Sequence, residues 1–262
     1  MPGGPRFPPF LVTAVAALSY LVAFAAILLW LPVEVLLLAV TWPFDRTRRV
    51  PGRFLRYVAV FCTYAFPFWR IRVSGTWPPG KRAYVVVSNH QSMLDIFMLS
   101  RLPREMKWIA KEELFRIPWI GWMFRVSGDI ALKRGDAESG RETLERARWY
   151  LDRGMHVMMF PEGTRSRDGR MLPFKSGAFR LALEAGVPVL PVAVSGTADG
   201  MPKGSPWVRP ARAMARILEP VETAGMTDAD TNRLRDRVRE RIAAGVVELE
   251  RERAAAGPPP GV

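Results

Sequence analysis

The chain has 262 residues, 49% apolar and 24% charged, with 38 Lys plus Arg against 25 Asp plus Glu, a formal net charge of +13, and one cysteine. These figures exclude intrinsic disorder, a disulfide scaffold and a four-cysteine zinc site, and leave ample material for a buried core. The positive excess calls for an anionic partner: nucleic acid, a phospholipid surface, or a phosphorylated or CoA-like substrate. Arginine supplies 32 of the 38 cations and lysine 6.

In chain order, the first feature is Phe10–Leu31, 22 residues without a charge. At about 1.5 Å rise per residue a helix of that length spans the roughly 30 Å hydrocarbon layer. The run is too long for a signal peptide, and Trp30 and Pro32 stand where a cleavage site needs small residues. Pro32 leaves two readings for Phe10–Trp42: one kinked span, or two short helices folded back. Beyond it, Pro43–Arg72 holds seven Arg, among them Arg46, Arg48, Arg49, Arg53 and Arg56, against the single Asp45, a net +6. By the positive-inside rule this places the remainder on the cytoplasmic side, held to anionic head groups. Phe54–Trp69, with Arg56 as its one internal charge, reads as a membrane-surface helix.

From Ile71 onward strands and helices alternate. Strands are expected at Ile71–Val73, Tyr84–Val87, Lys107–Ile109, Asp129–Leu132, His156–Phe160, Val189–Val194 and, more weakly, Ala213–Ile217. Helices are expected at Asp95–Leu102, Trp119–Val126, Ser139–Arg153 and Gly177–Ala185, with a charged terminal helix over Asp228–Glu252 and a disordered tail. The fold class is α/β: a mostly parallel sheet flanked by helices, preceded by a membrane-inserted helical segment. The expected division is 1–70 for membrane-anchoring helices, 71–222 for the catalytic domain, and 223–262 for the terminal helix and tail. In such sheets ligands sit beyond the carboxyl ends of the strands, so strand ends carry the functional reading.

Two strand ends carry chemistry. In the first, Val85–Val87 runs through Ser88 and Asn89 into His90, and Asp95 then opens a helix. With the chain turning between them, the carboxylate folds back on the imidazole, fixes its tautomer, and frees the other nitrogen to take a proton. The bland alternative is a packed histidine with Asp95 as a helix cap. Ser92 lies too close in sequence to both to complete a serine triad. In the second, Val157–Phe160 ends in Pro161-Glu162-Gly163-Thr164-Arg165. Here Gly163 permits close approach of a ligand, and Arg165 is suited to grip a phosphate with two parallel hydrogen bonds. Alone, that turn reads equally as a charged surface loop.

Together, His90-Gln-Ser-Met-Leu-Asp95 and Phe160-Pro-Glu-Gly-Thr-Arg-Ser166 closely resemble two defining motifs of the glycerophospholipid acyltransferases, nearest to the bacterial 1-acylglycerol-3-phosphate acyltransferase type. Further likeness lies in Lys107–Pro118, Phe174–Ala178 and Val187–Pro191, so the resemblance covers roughly Trp69 to Pro220. It implies direct acyl transfer from acyl-CoA or acyl carrier protein to the free hydroxyl of a lysophospholipid, most simply 1-acylglycerol-3-phosphate giving phosphatidic acid. It casts His90 as the base and Asp95 as its partner, and places Glu162, Gly163, Thr164 and Arg165 on the acceptor phosphate. No cofactor beyond the thioester co-substrate is implied. One departure stands out. The family pattern Gly-x-Ile-Phe-Ile-Asp-Arg reads here Gly128-Asp-Ile-Ala-Leu-Lys133-Arg134, so Arg134 matches while Lys133 replaces an acid. Both become candidate phosphate contacts, and the change keeps other acceptors, such as a lyso-ornithine lipid, in view.

Other residues carry less. His156, at a strand entry, reads as structural, and Cys62 as a buried or lipid-facing thiol. Lys107 and Lys111 read equally as phosphate contacts or surface charges, and no His/Cys/Asp spacing matches a metal site. A membrane-anchored thioesterase or phosphohydrolase is the second enzyme reading. A non-enzymatic anionic-membrane protein is the third, though it gives no reason for the His90–Asp95 spacing. Nucleic acid is disfavoured because the basic cluster nearest the membrane segment is needed there.

Overall fold

The computed structural model describes residues 9–166, 169–205 and 207–257; the predicted tail beyond 257 lies outside them. Helix α1 (Pro9–Thr41) is continuous through Pro32, so the folded-back pair is not formed. A proline removes one helix hydrogen bond, and here α2 (Arg49–Ala65) braces the helix from the side. Trp30 stacks on Phe54 with ring centroids 5.4 Å apart, and the Ser19 hydroxyl donates to the Ala65 carbonyl. The opposite face of α1 carries Leu18, Leu21, Phe24, Leu29 and Leu36, all exposed. Thr13–Thr41 is long and apolar enough to cross a membrane. Glu34 is not on that apolar face: it is fully buried, with Arg56 and Lys107 as its neighbouring cations.

Helix α2 is amphipathic. Leu55, Val58 and Cys62 are buried while Tyr57, Phe61 and Tyr64 are exposed, as expected of a surface helix with one face on protein. Then follow β1 (Trp69–Ser74), β2 (Val85–Ser88), α3 (Leu94–Leu99), β3 (Met106–Lys111), α4 (Ile120–Ser127), β4 (Ile130–Leu132), α5 (Ala137–Leu151) and β5 (His156–Met159). After them come α6 (Gly177–Ala185), β6 (Val189–Ser195), α7 (Thr197–Gly200), β7 (Ala211–Ile217) and α8 (Thr231–Ala255).

The strands form one seven-stranded sheet in the order β1-β7-β6-β2-β5-β3-β4. Every neighbouring pair is parallel except β6–β7. Strand alternation divides the core. Val85 and Val87 face α5, α6 and α8 with Ala147, Phe179, Val238 and Ile242, whereas Tyr84 and Val86 face α3 with Leu94, Met98 and Leu99. Apolar runs without alternating polar residues are what a sheet covered on both faces requires.

Candidate active site

Parallel pairing of β2 with β5 brings the two sequence motifs together. Val87 lies opposite Met159, so His90 and Glu162 each stand three residues beyond the same rung. The parallel ends of β3, β4 and β6 open on the same side, as ligand sites in open α/β sheets require. Asn89 extends the ladder: its amide donates to the Val194 carbonyl and accepts from the Val194 N–H, each at 2.9 Å.

His90 Nδ1 lies 2.7 Å from Asp95 Oδ2. The same carboxylate oxygen accepts from the Gln91 and Ser92 N–H groups, at 2.7 and 2.9 Å, and Oδ1 accepts from the Thr197 hydroxyl. Asp95 is fully buried, so four donors replace its hydration. With an acceptor-only carboxylate on Nδ1, that nitrogen carries the hydrogen and Nε2 is left as the proton acceptor. The imidazole stacks on Phe160 at 3.9 Å between centroids. The Ser92 hydroxyl donates to the Met201 carbonyl instead of joining the pair, in keeping with its exclusion as a nucleophile.

His90 lines a cavity of about 290 Å³ together with Arg134, Gly163, Thr164, Arg165 and Lys111. Five of the anticipated positions are thus gathered around one space, with Asp95 directly behind His90. Two are not. Glu162 is buried and faces away: Oε1 accepts from the His90 N–H at 2.6 Å, and Oε2 from the Leu172 N–H at 2.8 Å. A carboxylate spent on two backbone donors is a brace between the motifs, not a phosphate contact. Burial pushes its carboxyl up to about 7, against the lowering effect of those two hydrogen bonds. Lys133 points outward and pairs with Asp136 at 2.9 Å, so the departure from the family pattern leaves the cavity's charge unaltered. Arg134, its neighbour, lines the cavity.

The phosphate-loop candidate is pinned from both ends. The Ser166 N–H donates to the His90 carbonyl at 2.9 Å, and the Lys175 N–H to the Pro161 carbonyl at 2.8 Å. Gly163 has φ of +71°, a conformation that disfavours any side chain, and a Cβ there would also press on the Lys175 side chain. Lys203, which sequence reasoning missed, donates to the Arg165 carbonyl at 2.6 Å and to the Thr164 hydroxyl at 3.2 Å, and lines the cavity. Thr197 was missed as well, although it stands just past the end of β6, where the strand-end rule points.

Lys107 is neither a phosphate contact nor a surface charge. It is fully buried, with Nζ donating to the Arg48 and Ser127 carbonyls, each at 2.7 Å. Burial depresses its ammonium, opposed by Glu105 and Asp129. His156 is structural, as expected of a strand entry: Nδ1 accepts from the Tyr84 N–H at 3.2 Å, and burial depresses the ring to about 4.

Fold and site together set a carboxylate-held histidine beside a cluster of cationic side chains at the strand ends of an α/β sheet. A family model described as Acyltransferase matches residues 70–195. The chloroplastic 1-acyl-sn-glycerol-3-phosphate acyltransferase BAT2 of Brassica napus is 42% identical over 164 residues, 62% of this chain and 47% of that one. The alpha 1-acyl-sn-glycerol-3-phosphate acyltransferase of Mus musculus is 40% identical over 194 residues, covering 71% and 67% respectively. The crystal structure of the 1-acyl-sn-glycerophosphate acyltransferase PlsC from Thermotoga maritima superposes with a TM-score of 0.74 at 30% identity, over 92% of this chain and 97% of that one. The chain belongs to the acyltransferase family, in its 1-acyl-sn-glycerol-3-phosphate acyltransferase type. It spans about half the length of the plant relative it matches.

Proposed function

We propose that the protein moves an acyl group from a thioester donor, acyl-CoA or acyl carrier protein, to the free hydroxyl of 1-acylglycerol-3-phosphate, giving phosphatidic acid. The observation that carries this reading is the His90–Asp95 pair opening on a cavity walled by Arg134, Arg165, Lys111 and Lys203. His90 Nε2 takes the hydroxyl proton as the oxygen attacks the thioester carbon. The resulting tetrahedral centre expels the thiolate with cleavage of the C–S bond, and the imidazolium returns the proton to sulfur. Asp95 holds the ring and offsets its transient positive charge. A thioester is already activated, so base assistance and positioning suffice without a cofactor.

Arg165, with Arg134 and Lys203, holds the acceptor phosphate by charge-assisted hydrogen bonds. The outward turn of Lys133 favours the phosphate acceptor over a different head group, since the cavity gains no cation from it. The apolar face of α1 keeps the protein at the membrane that contains the acceptor. By the positive-inside rule, the arginines of Pro43–Arg72 favour a catalytic part on the cytoplasmic side.

A product assay tests the reading. Purified protein is offered lysophosphatidate, other lysophospholipids and lyso-ornithine lipid, each with acyl-CoA and with acyl carrier protein donors. Phosphatidic acid as the dominant product is expected. Acyl release to water at an equal rate without acceptor would indicate a thioesterase, and acylation of lyso-ornithine lipid alone a different acceptor.

A further inference from the structure

Beside the cavity that holds His90 lies a larger groove of about 710 Å³, walled by α5, α6 and the residues that follow β4 and β5. The two share Leu132, Arg134, Met159, Phe160 and Gly163, so the groove adjoins the histidine's cavity. Its floor is apolar, with Leu144, Met159, Phe160 and Pro161, and its rim is cationic. Five cations line it against two carboxylates, Glu145 and Glu184, and Glu145 is held by Arg141 at 2.6 Å. Arg148 is likewise paired with Asp152. Arg134, Lys175 and Arg180 have no side-chain partner among the described residues. The N-terminal turn of α6 lines the same groove through Gly177 and Ala178, with no acid in that turn and no side-chain cap. Its N–H groups add to the positive field there.

An apolar floor, three unmatched cations and a wall shared with the histidine's cavity fit a ligand with a long, weakly polar arm and a phosphate at its far end. Resting on the reading of the chain as a thioester-dependent transferase, we infer that this groove seats the phosphopantetheine arm of the acyl donor. The arm lies over Phe160 and Gly163, its phosphate meets Lys175 and Arg180, and its thioester reaches His90. The two substrates then approach the histidine from opposite sides. The acceptor phosphate lies toward Lys111, Arg165 and Lys203, the donor phosphate toward Lys175 and Arg180, and Arg134 stands between them. CoA and acyl carrier protein both present this arm, so the groove's chemistry is common to either donor.

Two variants test the assignment independently of charge and of fold. R180E reverses one rim charge on an exposed residue. G140F fills the groove at a position where an added Cβ meets nothing within 4 Å. Steady-state kinetics is run on full-length protein, with acyl-CoA and acyl carrier protein donors in separate series. Each variant should raise the KM of the donor that the wild type uses by about tenfold, with the acceptor KM within twofold of wild type. Donor KM within twofold of wild type in both variants, or a rise confined to the acceptor KM, would overturn the assignment. A wild type that acylates no lysolipid would instead refute the acyltransferase reading on which the inference rests.

Discussion

His90 owes its geometry to one carboxylate, and that carboxylate is fixed from four directions: His90 itself, the Gln91 and Ser92 amides, and Thr197 at the start of α7. Removing the Thr197 hydroxyl leaves Asp95 Oδ1 buried without a donor, at a cost of about 1–3 kcal/mol. T197V is therefore expected to lose stability by that amount in urea titration and to lower kcat about tenfold, with T197S close to wild type. An unaffected kcat in T197V would show that the ring does not depend on this brace. R165A should raise the acceptor KM by tenfold or more and leave the donor KM near wild type; the reverse pattern would move Arg165 to the donor side. Glu162 carries a pH signature. Its folded carboxyl titrates near 7, above the 4.5 of an ordinary glutamate, so the folded state prefers it protonated. The stabilisation this gives is complete below about pH 4.5 and is lost as pH rises through 7. Compared with E162Q, which does not titrate, the wild type should lose on the order of 3 kcal/mol between pH 4.5 and 8. A pH-independent difference between the two would contradict this. The His90–Asp95 pair is legible in sequence because six consecutive residues contain it. Glu162 was misread as a phosphate contact because a strand-end carboxylate does not declare which way it points. Lys203 and Thr197 reach the site across more than a hundred residues from His90, a distance no local pattern encodes.

At the level of elements, short β-branched apolar runs located every strand of the sheet, amphipathic spacing located α5, and an uncharged run and a charged stretch located α1 and α8. What they did not convey was the antiparallel return of β7 onto β6, since pairing direction leaves no mark within a single strand. Helix α8 shows the limit from the other side. Its composition reads as a charged terminal helix, yet Leu234, Val238, Ile242, Gly245 and Leu249 form a buried stripe packed against the sheet. Gly245 sets how close that approach is: a Cβ there would stand 2.9 Å from the Ala193 Cβ on β6. G245V should accordingly destabilise the protein by about 1–3 kcal/mol through forced separation of α8 from β6. A melting temperature equal to wild type would mean that α8 docks more loosely than this packing implies. The single α1 helix was also undecided in sequence. Pro32 argues for a break, and the lateral packing of α1 on α2, Trp30 on Phe54 included, braces the helix through it.

Across the whole molecule, the net charge of +13 separates into roles. One share lies along Pro43–Arg72, at the end of α1 and on α2, and another gathers at the strand ends around His90. Part of the arginine count is structural: Arg56 is buried in an ion pair with Asp129, with Glu34 and Glu105 beside it, and so ties α2 to the sheet. The molecule thus couples a helix long and apolar enough to cross a membrane to a carboxylate-held histidine at the carboxyl edge of a mostly parallel sheet. The central claim is that His90 removes the acceptor's proton during direct acyl transfer. The most direct test follows labelled acyl groups from thioester to lysophosphatidate on vesicles, comparing wild type with H90A. Transfer should fall by at least about 100-fold, the usual range for loss of a general base, while both proteins float equally with the vesicles. Transfer by H90A within a few-fold of wild type would contradict the account.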